Sequence, residues 1–292
     1  MNYVIFDLEW NQPPFAEAAV LEPLYLSGEI IQIGAVKLND AFEVVDELRL
    51  YIRPKYYTKL HKQISALTHI RDKDLQEQGL PFPEAYEVFL NWCGEEHSFM
   101  TWSMSDMPML IDNMLLHGID CSKLPDCYDI QRIFSREIMR NSARCSLDHA
   151  LEILNLKGDQ AHDALHDARN TAKICSYLDL DQYLEEYAAR AFALQPHHTI
   201  YPNIHTMLQD EALLTFPCPY CGAEIRCQTW VSQDPYTYIN YGYCPDEEDE
   251  FLLQLHVYKG QPGSYRLHRL FYSMSDDLWE IYQDRLGQQK GS

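Results

Sequence analysis

The feature that most restricts this chain is a short apolar run near its start that carries two acids. Tyr3-Val-Ile-Phe-Asp7-Leu-Glu9-Trp10 has the makeup of a buried strand, yet Asp7 and Glu9 sit two residues apart within it. Strand side chains alternate between faces, so both carboxyls project from one face, roughly 7 Å apart. Two acids on an apolar strand are costly unless something cationic neutralises them. A pair of Mg²⁺ ions would do so, because hard cations take oxygen ligands. The competing reading is a strand end that emerges into water with its acids merely solvated.

The next 180 residues alternate strand and helix signals. Glu29–Leu38 and Val44–Ile52 read as a second and third strand, the latter stopped by Arg53-Pro54. Helical spacing of Ala85, Val88, Phe89 and Trp92 predicts a helix over 83–96. Ser98–Trp102 reads as a fourth strand and Pro108–His117 as a helix, with Pro early and Gly118 just past its end. Cys127–Gln131 reads as a fifth strand, followed by helices over Ser146–Asn155 and about Asp163–Tyr183. Three strands followed by alternating elements fit one mixed five-stranded sheet flanked by helices, an α/β class. The span 191–210, with Pro196 and Pro202, reads as a linker between a domain over 1–190 and a second over 211–292. The second is strand-rich: Leu252–Tyr258 and Tyr265–Tyr272 flank Gly260-Gln-Pro-Gly263 as a hairpin.

Further acids lie at element junctions. Asp106 follows a strand and precedes a helix, and taken alone it reads first as an N-cap. In Ala161-His162-Asp-Ala-Leu-His166-Asp167, His162 precedes Asp167 by five residues. On one continuous helix the two would not share a face. With His162 in the preceding loop they can converge, and His166 is its rival.

Together these segments make the sequence resemble the DEDDh 3′–5′ exonucleases of the ribonuclease-H-like fold. Phe6-Asp7-Leu8-Glu9, Thr101-Trp-Ser-Met-Ser-Asp106 and His162-x4-Asp167 match the three family motifs in order. Glu29–Ala35, Ile64–Ile70, Asp129–Arg132 and Ser146–Ala150 resemble the connecting segments, so the resemblance covers about residues 1–180. It is nearest the short exoribonucleases that trim histone-mRNA and small-RNA ends, with their bacterial sporulation-inhibitor-type members. Ser103 stands where that branch often has Gly, and Asp163 where a basic residue often follows the His.

The resemblance implies the roles. Asp7, Glu9 and Asp167 would hold one Mg²⁺ or Mn²⁺, with Asp7 shared with a second and Asp106 completing that site. His162 would be the general base for the attacking water. The expected reaction is phosphodiester hydrolysis from the 3′ end of single-stranded nucleic acid, RNA favoured, releasing nucleoside 5′-monophosphates. A DNA exonuclease of proofreading type and a regulatory binding protein on the same fold are the competing readings. Leu8 and Trp10 would lie where the terminal nucleotide docks. Arg132, Arg136, Arg140 and Arg144 recur every four residues and predict a basic helical stripe, either a nucleic-acid track or a solvated face.

The nine cysteines divide into two sets. Cys93, Cys121, Cys127, Cys145 and Cys175 are scattered as small hydrophobes, while Cys218, Cys221, Cys227 and Cys244 cluster. Cys218-Pro-Tyr-Cys221-Gly222 resembles a zinc-ribbon knuckle, and Cys244-Pro-Asp-Glu247 a second whose last Cys has become Glu. One structural Zn²⁺ on Cys218, Cys221 and Cys244 is expected, with Glu247, Cys227 or His256 as fourth ligand. Trp230, Tyr236, Tyr238, Tyr241 and Tyr243 lie between the knuckles and suit either a small core or base stacking. The acidic run Asp246–Glu250 turns that edge from phosphate and suits a protein partner.

The balance of 23 Lys+Arg against 44 Asp+Glu gives a formal charge of −21. That excludes a general nucleic-acid coater, which needs a basic footprint. It does not exclude an enzyme that grips one 3′ end through metal ions. Neither a signal peptide nor a membrane span is expected, and a cytoplasmic location follows as the expectation.

Overall fold

The computed structural model describes residues 1–14, 26–103, 105–121, 124–140, 144–186, 200–218, 221–259, 264–274 and 276–290. The chain forms two compact units, and the passage between them falls within 187–199, outside the described residues.

The first unit is built on β1 (Asn2–Asn11), β2 (Glu29–Leu38) and β3 (Val44–Tyr51), joined antiparallel in sequence. Strand β2 is buried at nearly every position, as a central strand covered on both faces must be. Helices α1 (Lys62–Thr68), α2 (Asp72–Gln78) and α3 (Phe82–Cys93) follow. Strand β4 (His97–Thr101) then joins β1 in parallel, and after α4 (Asp106–Leu116) strand β5 (Cys127–Asp129) joins β4. The sheet order is β3-β2-β1-β4-β5. Helices α5 (Ile130–Phe134), α6 (Leu147–Ile153), α7 (Ala164–Cys175) and α8 (Leu180–Glu186) complete the flanks. Phe6, Phe89 and Phe99 pack edge-on and stacked in the core under α3. This is the mixed five-stranded sheet that the segment order predicts and that the resemblance implies as ribonuclease-H-like.

Four expectations need correction. The fifth strand ends at Asp129, because Asp129 caps α5 by accepting the Arg132 N–H at 3.1 Å. The long helix expected to run to Tyr183 stops at Cys175, and α8 starts anew behind Asp179. The break lets Leu178 and Leu180, only two apart, both enter the core. The inner face of α3 is Ala85, Tyr86 and Phe89, whereas Val88 is 41% exposed. The regular arginine stripe does not form. Helix α5 widens into a π turn over Ser135–Met139, and Arg140 then takes a left-handed conformation (φ 58°). Arg132 is buried, and 141–143 lie outside the described residues.

The second unit holds two sheets. Helix α9 (Ile204–Leu208) and a 3₁₀ turn lead into the short pair β6 (Thr215–Pro217) and β7 (Glu224–Arg226). Strands β8 (Val231–Asp234), β9 (Thr237–Cys244), β10 (Asp249–Lys259) and β11 (Tyr265–Ser273) form an antiparallel sheet in the order β11-β10-β9-β8. Strands β10 and β11 are the predicted hairpin, whose connection 260–263 lies outside the described residues. Tyr201 and Met207, inside the span read as linker, are buried in this unit's core beside Phe216 and Trp230. Helix α10 (Asp276–Lys290) was not expected. Its Leu278, Tyr282 and Leu286, four residues apart, pack against Val231, Ile239 and Leu252. No helix among the described residues is long and apolar enough to cross a membrane.

Candidate active site

The site begins with a mismatch in strand length. Strand β1 pairs with β4 only as far as Ile5 opposite Met100, so its outer half projects past the end of β4. Asp7 and Glu9 lie on that projection, still paired with β2 opposite Gly34 and Gln32. The Leu8 N–H, which β4 no longer reaches, donates instead to Asp106 Oδ1 at 3.0 Å. Asp106 is the first residue of α4, while Ser105 is the N-cap and makes no side-chain cap bond. The Asp106 carboxyl is thus turned onto β1 rather than spent in capping its own helix.

Helix α7 brings the remaining groups. Gly34 is the seat: a Cβ there would run into the backbone of Ala164 and Leu165. Buried Gln32 accepts the Ala164 N–H at 2.9 Å and donates to Asp163 Oδ2 at 3.3 Å. Asp163 caps α7 through the His166 N–H and receives the Arg49 guanidinium from β3 at 2.6 Å. His162, just ahead of the cap, is left-handed (φ 64°), and its N–H donates to Asp167 Oδ2 at 2.9 Å. The turn folds His162 back over the first helical turn. One donor atom each of Glu9, His162 and Asp167 therefore lie within 4.8 Å of one another. His166 instead turns its Nδ1 to the Gln160 carbonyl at 3.2 Å.

These groups face one open cavity of about 430 Å³. Asp7, Glu9, Asp106, His162 and Asp167 all line it, and no Lys or Arg does among the described residues. Leu8 and Trp10 line it too. Alternation sets both of them on the face opposite the acids, yet both border the cavity; between Glu9 and Trp10 the register with β2 shifts, leaving Ile31 as the extra residue. Ile64, Leu67 and Trp102 supply apolar wall that sequence reasoning did not single out. Arg132 and Arg136 are not among the described lining residues.

Crowding shifts the acids in one direction. Burial, then the Asp106, Asp167 and Glu9 charges, holds the Asp7 carboxyl well above its ordinary range. Burial, then the Asp167, Asp106 and Asp163 charges, pushes Glu9 up to about 8. Asp106 is pushed up to about 7, chiefly by burial, with the Leu8 N–H pulling the other way. Asp167 is raised by burial and partly relieved by the His162 N–H. Four carboxyls that resist ionising together, with oxygen donors aimed at one space and no side-chain cation to balance them, fit a hard divalent ion.

A second donor cluster lies in the other unit. One sulfur each of Cys218, Cys221 and Cys244 lie within 4.8 Å, with Cys221 and Cys244 3.5 Å apart. Gly222 (φ 77°) gives the tight return, its N–H donating to the Cys218 carbonyl at 3.0 Å. None of the three candidates for a fourth ligand joins the cluster. Cys227 is buried in the core, His256 Nε2 bonds to Gln254, and Glu247 sits on the turn after Cys244.

Comparison with known proteins agrees with this geometry. The RNase_T family, described as Exonuclease, matches residues 5–175. The probable 3′-5′ exonuclease KapD of Bacillus subtilis (strain 168) is 28% identical over 188 residues, 63% of this chain and 88% of that protein. The nuclease domain of 3′hExo, a DEDDh family member solved bound to rAMP, superposes with a TM-score of 0.52. It is 22% identical, over 62% of this chain and 92% of that one. The E. coli ExoI–ssDNA complex superposes at 0.51 and 12% identity, over 82% of this chain and 54% of that one.

Proposed function

The chain belongs to the RNase_T exonuclease family, hydrolases of phosphodiester bonds, and from that premise we propose that it shortens single-stranded RNA from the 3′ end and releases nucleoside 5′-monophosphates. The observation that carries this reading is the convergence of Asp7, Glu9, Asp106, His162 and Asp167, from three separate segments, on one cavity. Asp7, Glu9 and Asp167 would hold one divalent ion, and Asp7 with Asp106 a second. Bound Mg²⁺ or Mn²⁺ would supply the positive charge that balances the carboxylates, activates water and favours the departing 3′ oxygen.

The chain's own residues do the rest. His162, on the exposed side of the cluster, takes the proton of the attacking water at a ring nitrogen. The Asp163 cap, held by Gln32 and Arg49, keeps the left-handed turn that presents that ring. Leu8 and Trp10 hold the terminal nucleotide, and Ile64, Leu67 and Trp102 narrow the access of water. RNA is favoured because the motifs resemble the short exoribonuclease branch.

Single-stranded RNA and DNA of one sequence, labelled at the 5′ end, test the reading in Mg²⁺, Mn²⁺ or chelator. We expect RNA to shorten stepwise from its 3′ end with metal only. Asp7→Ala and Asp167→Ala should lower the rate by at least about a hundredfold in folded protein. Faster digestion of DNA would overturn the substrate, and unimpaired mutants would overturn the site.

The second unit, over about 211–292, we propose to hold one structural Zn²⁺ on Cys218, Cys221 and Cys244, with the fourth position left to water or to a movement of Glu247 on the turn after Cys244. The three clustered sulfurs support it. We also place the protein in a reducing cytoplasm, where its nine cysteines, none of them in a disulfide, stay reduced. The acidic edge of this unit suits a basic protein partner.

A further inference from the structure

The second unit contains a cavity of about 320 Å³, on the face where β8 and β9 meet the end of α10. Its volume suits a single small aromatic ligand. Leu208, Trp230 and Tyr238 provide apolar and aromatic wall. Trp230 is 4% exposed and forms the floor of the cavity, packed edge-on against Phe216 beneath it.

The polar lining comes from Ser232, Tyr238, Arg285, Gln288 and Gln289, of which Arg285 alone is donor-only and cationic. Arg285 has no acidic partner among the described residues, so its guanidinium is open to an anion. Two further groups are held only by long bonds that a ligand can replace. The Gln289 amide donates to the Trp230 carbonyl at 3.4 Å, and the Tyr238 hydroxyl to the Pro235 carbonyl at 3.4 Å. Aromatic wall, amide and hydroxyl edges and one free guanidinium match a heterocyclic base carrying a phosphate.

We propose that this cavity is a second nucleotide-binding subsite, taking one unpaired nucleoside phosphate with its base against Tyr238, over the floor made by Trp230 and Leu208, and its phosphate at Arg285. The ligand is either an internal unit of a single-stranded substrate or a free mononucleotide. This inference rests on the reading of the chain as a nuclease, which supplies both. The adjacent Tyr241 is committed elsewhere: it packs on Trp279 and Tyr282 and bonds to Glu250.

Photocrosslinking of the full-length Asp167→Asn chain tests it, with two probes and peptide mapping. One probe is a short single-stranded RNA carrying 4-thiouridine, the other an azido-adenosine monophosphate. We expect adducts on the Trp230–Tyr238 segment. Labelling by the RNA identifies a substrate unit, and labelling by the mononucleotide alone identifies a product-type ligand; either supports the subsite. Arg285→Gln, checked for folding by circular dichroism, should reduce labelling about fivefold. Adducts confined to the first unit, none from either probe, or undiminished labelling of Arg285→Gln would overturn the proposal. Wild-type digestion of the same RNA is measured alongside. Digestion without these adducts defeats the subsite alone, and adducts without digestion defeat the nuclease reading alone.

Discussion

At the scale of single residues, the four acids of the first unit behave as a set prepared for neutralisation. Glu9 is pushed up to about 8 and Asp106 to about 7, with burial the leading cause in each. An acid whose folded value lies above its unfolded one stabilises the fold by holding its proton. That contribution is complete below the unfolded value and is lost as pH rises through the folded one. In chelator, the first unit's melting temperature should therefore fall as pH rises from about 5 through about 8. Mg²⁺ or Mn²⁺ should restore it most at the alkaline end. Asp106→Asn keeps an oxygen to accept the Leu8 N–H and removes one charge. It should melt higher than wild type at alkaline pH in chelator while losing activity. Calorimetry across that range checks this, and a flat profile would contradict the crowding.

At the scale of elements, the decisive contact is α7 against the sheet. Gly34 lets the helix backbone lie on β2 directly opposite Asp7, and Gln32 ties its first turn. Gly34→Ala should cost about 1–3 kcal/mol by overpacking. It should also lower activity, because Asp167 and His162 ride on the displaced segment. A Gly34→Ala protein with unchanged melting and turnover would show that α7 tolerates the shift. The same contact explains Asp163, which departs from the basic residue the family pattern often has there. Its carboxylate is used as cap and as Arg49 partner, so it is a positioning group for His162.

At the scale of the molecule, two compact units have separate cores and separate clusters of candidate metal ligands. If Zn²⁺ sits on the three clustered sulfurs, chelation acts on the second unit's fold directly. We expect one zinc per chain by elemental analysis and two unfolding steps, of which a strong thiol-site chelator lowers only one. Cys244→Ser should reproduce that loss. Stoichiometric zinc missing from protein prepared without chelator would remove the assignment. The charge of −21 fits the proposed function, in which binding would be concentrated at a few local sites rather than spread over a basic surface.

The sequence by itself determined the mixed sheet, the order of its elements and the identity of the clustered acids. Alternation placed Asp7 and Glu9 on one face, and motif order supplied Asp106, His162 and Asp167. Gln32 was legible as a polar residue in an apolar strand, and Leu278, Tyr282 and Leu286 as one face of an unread helix. What only the tertiary structure decided depends on contacts between distant segments. The β1 overhang directs Asp106 to Leu8, and the left-handed His162 meets Asp167. The arginine stripe failed for the same reason. Spacing assumes a regular helix, and only packing reveals where the helix widens and ends.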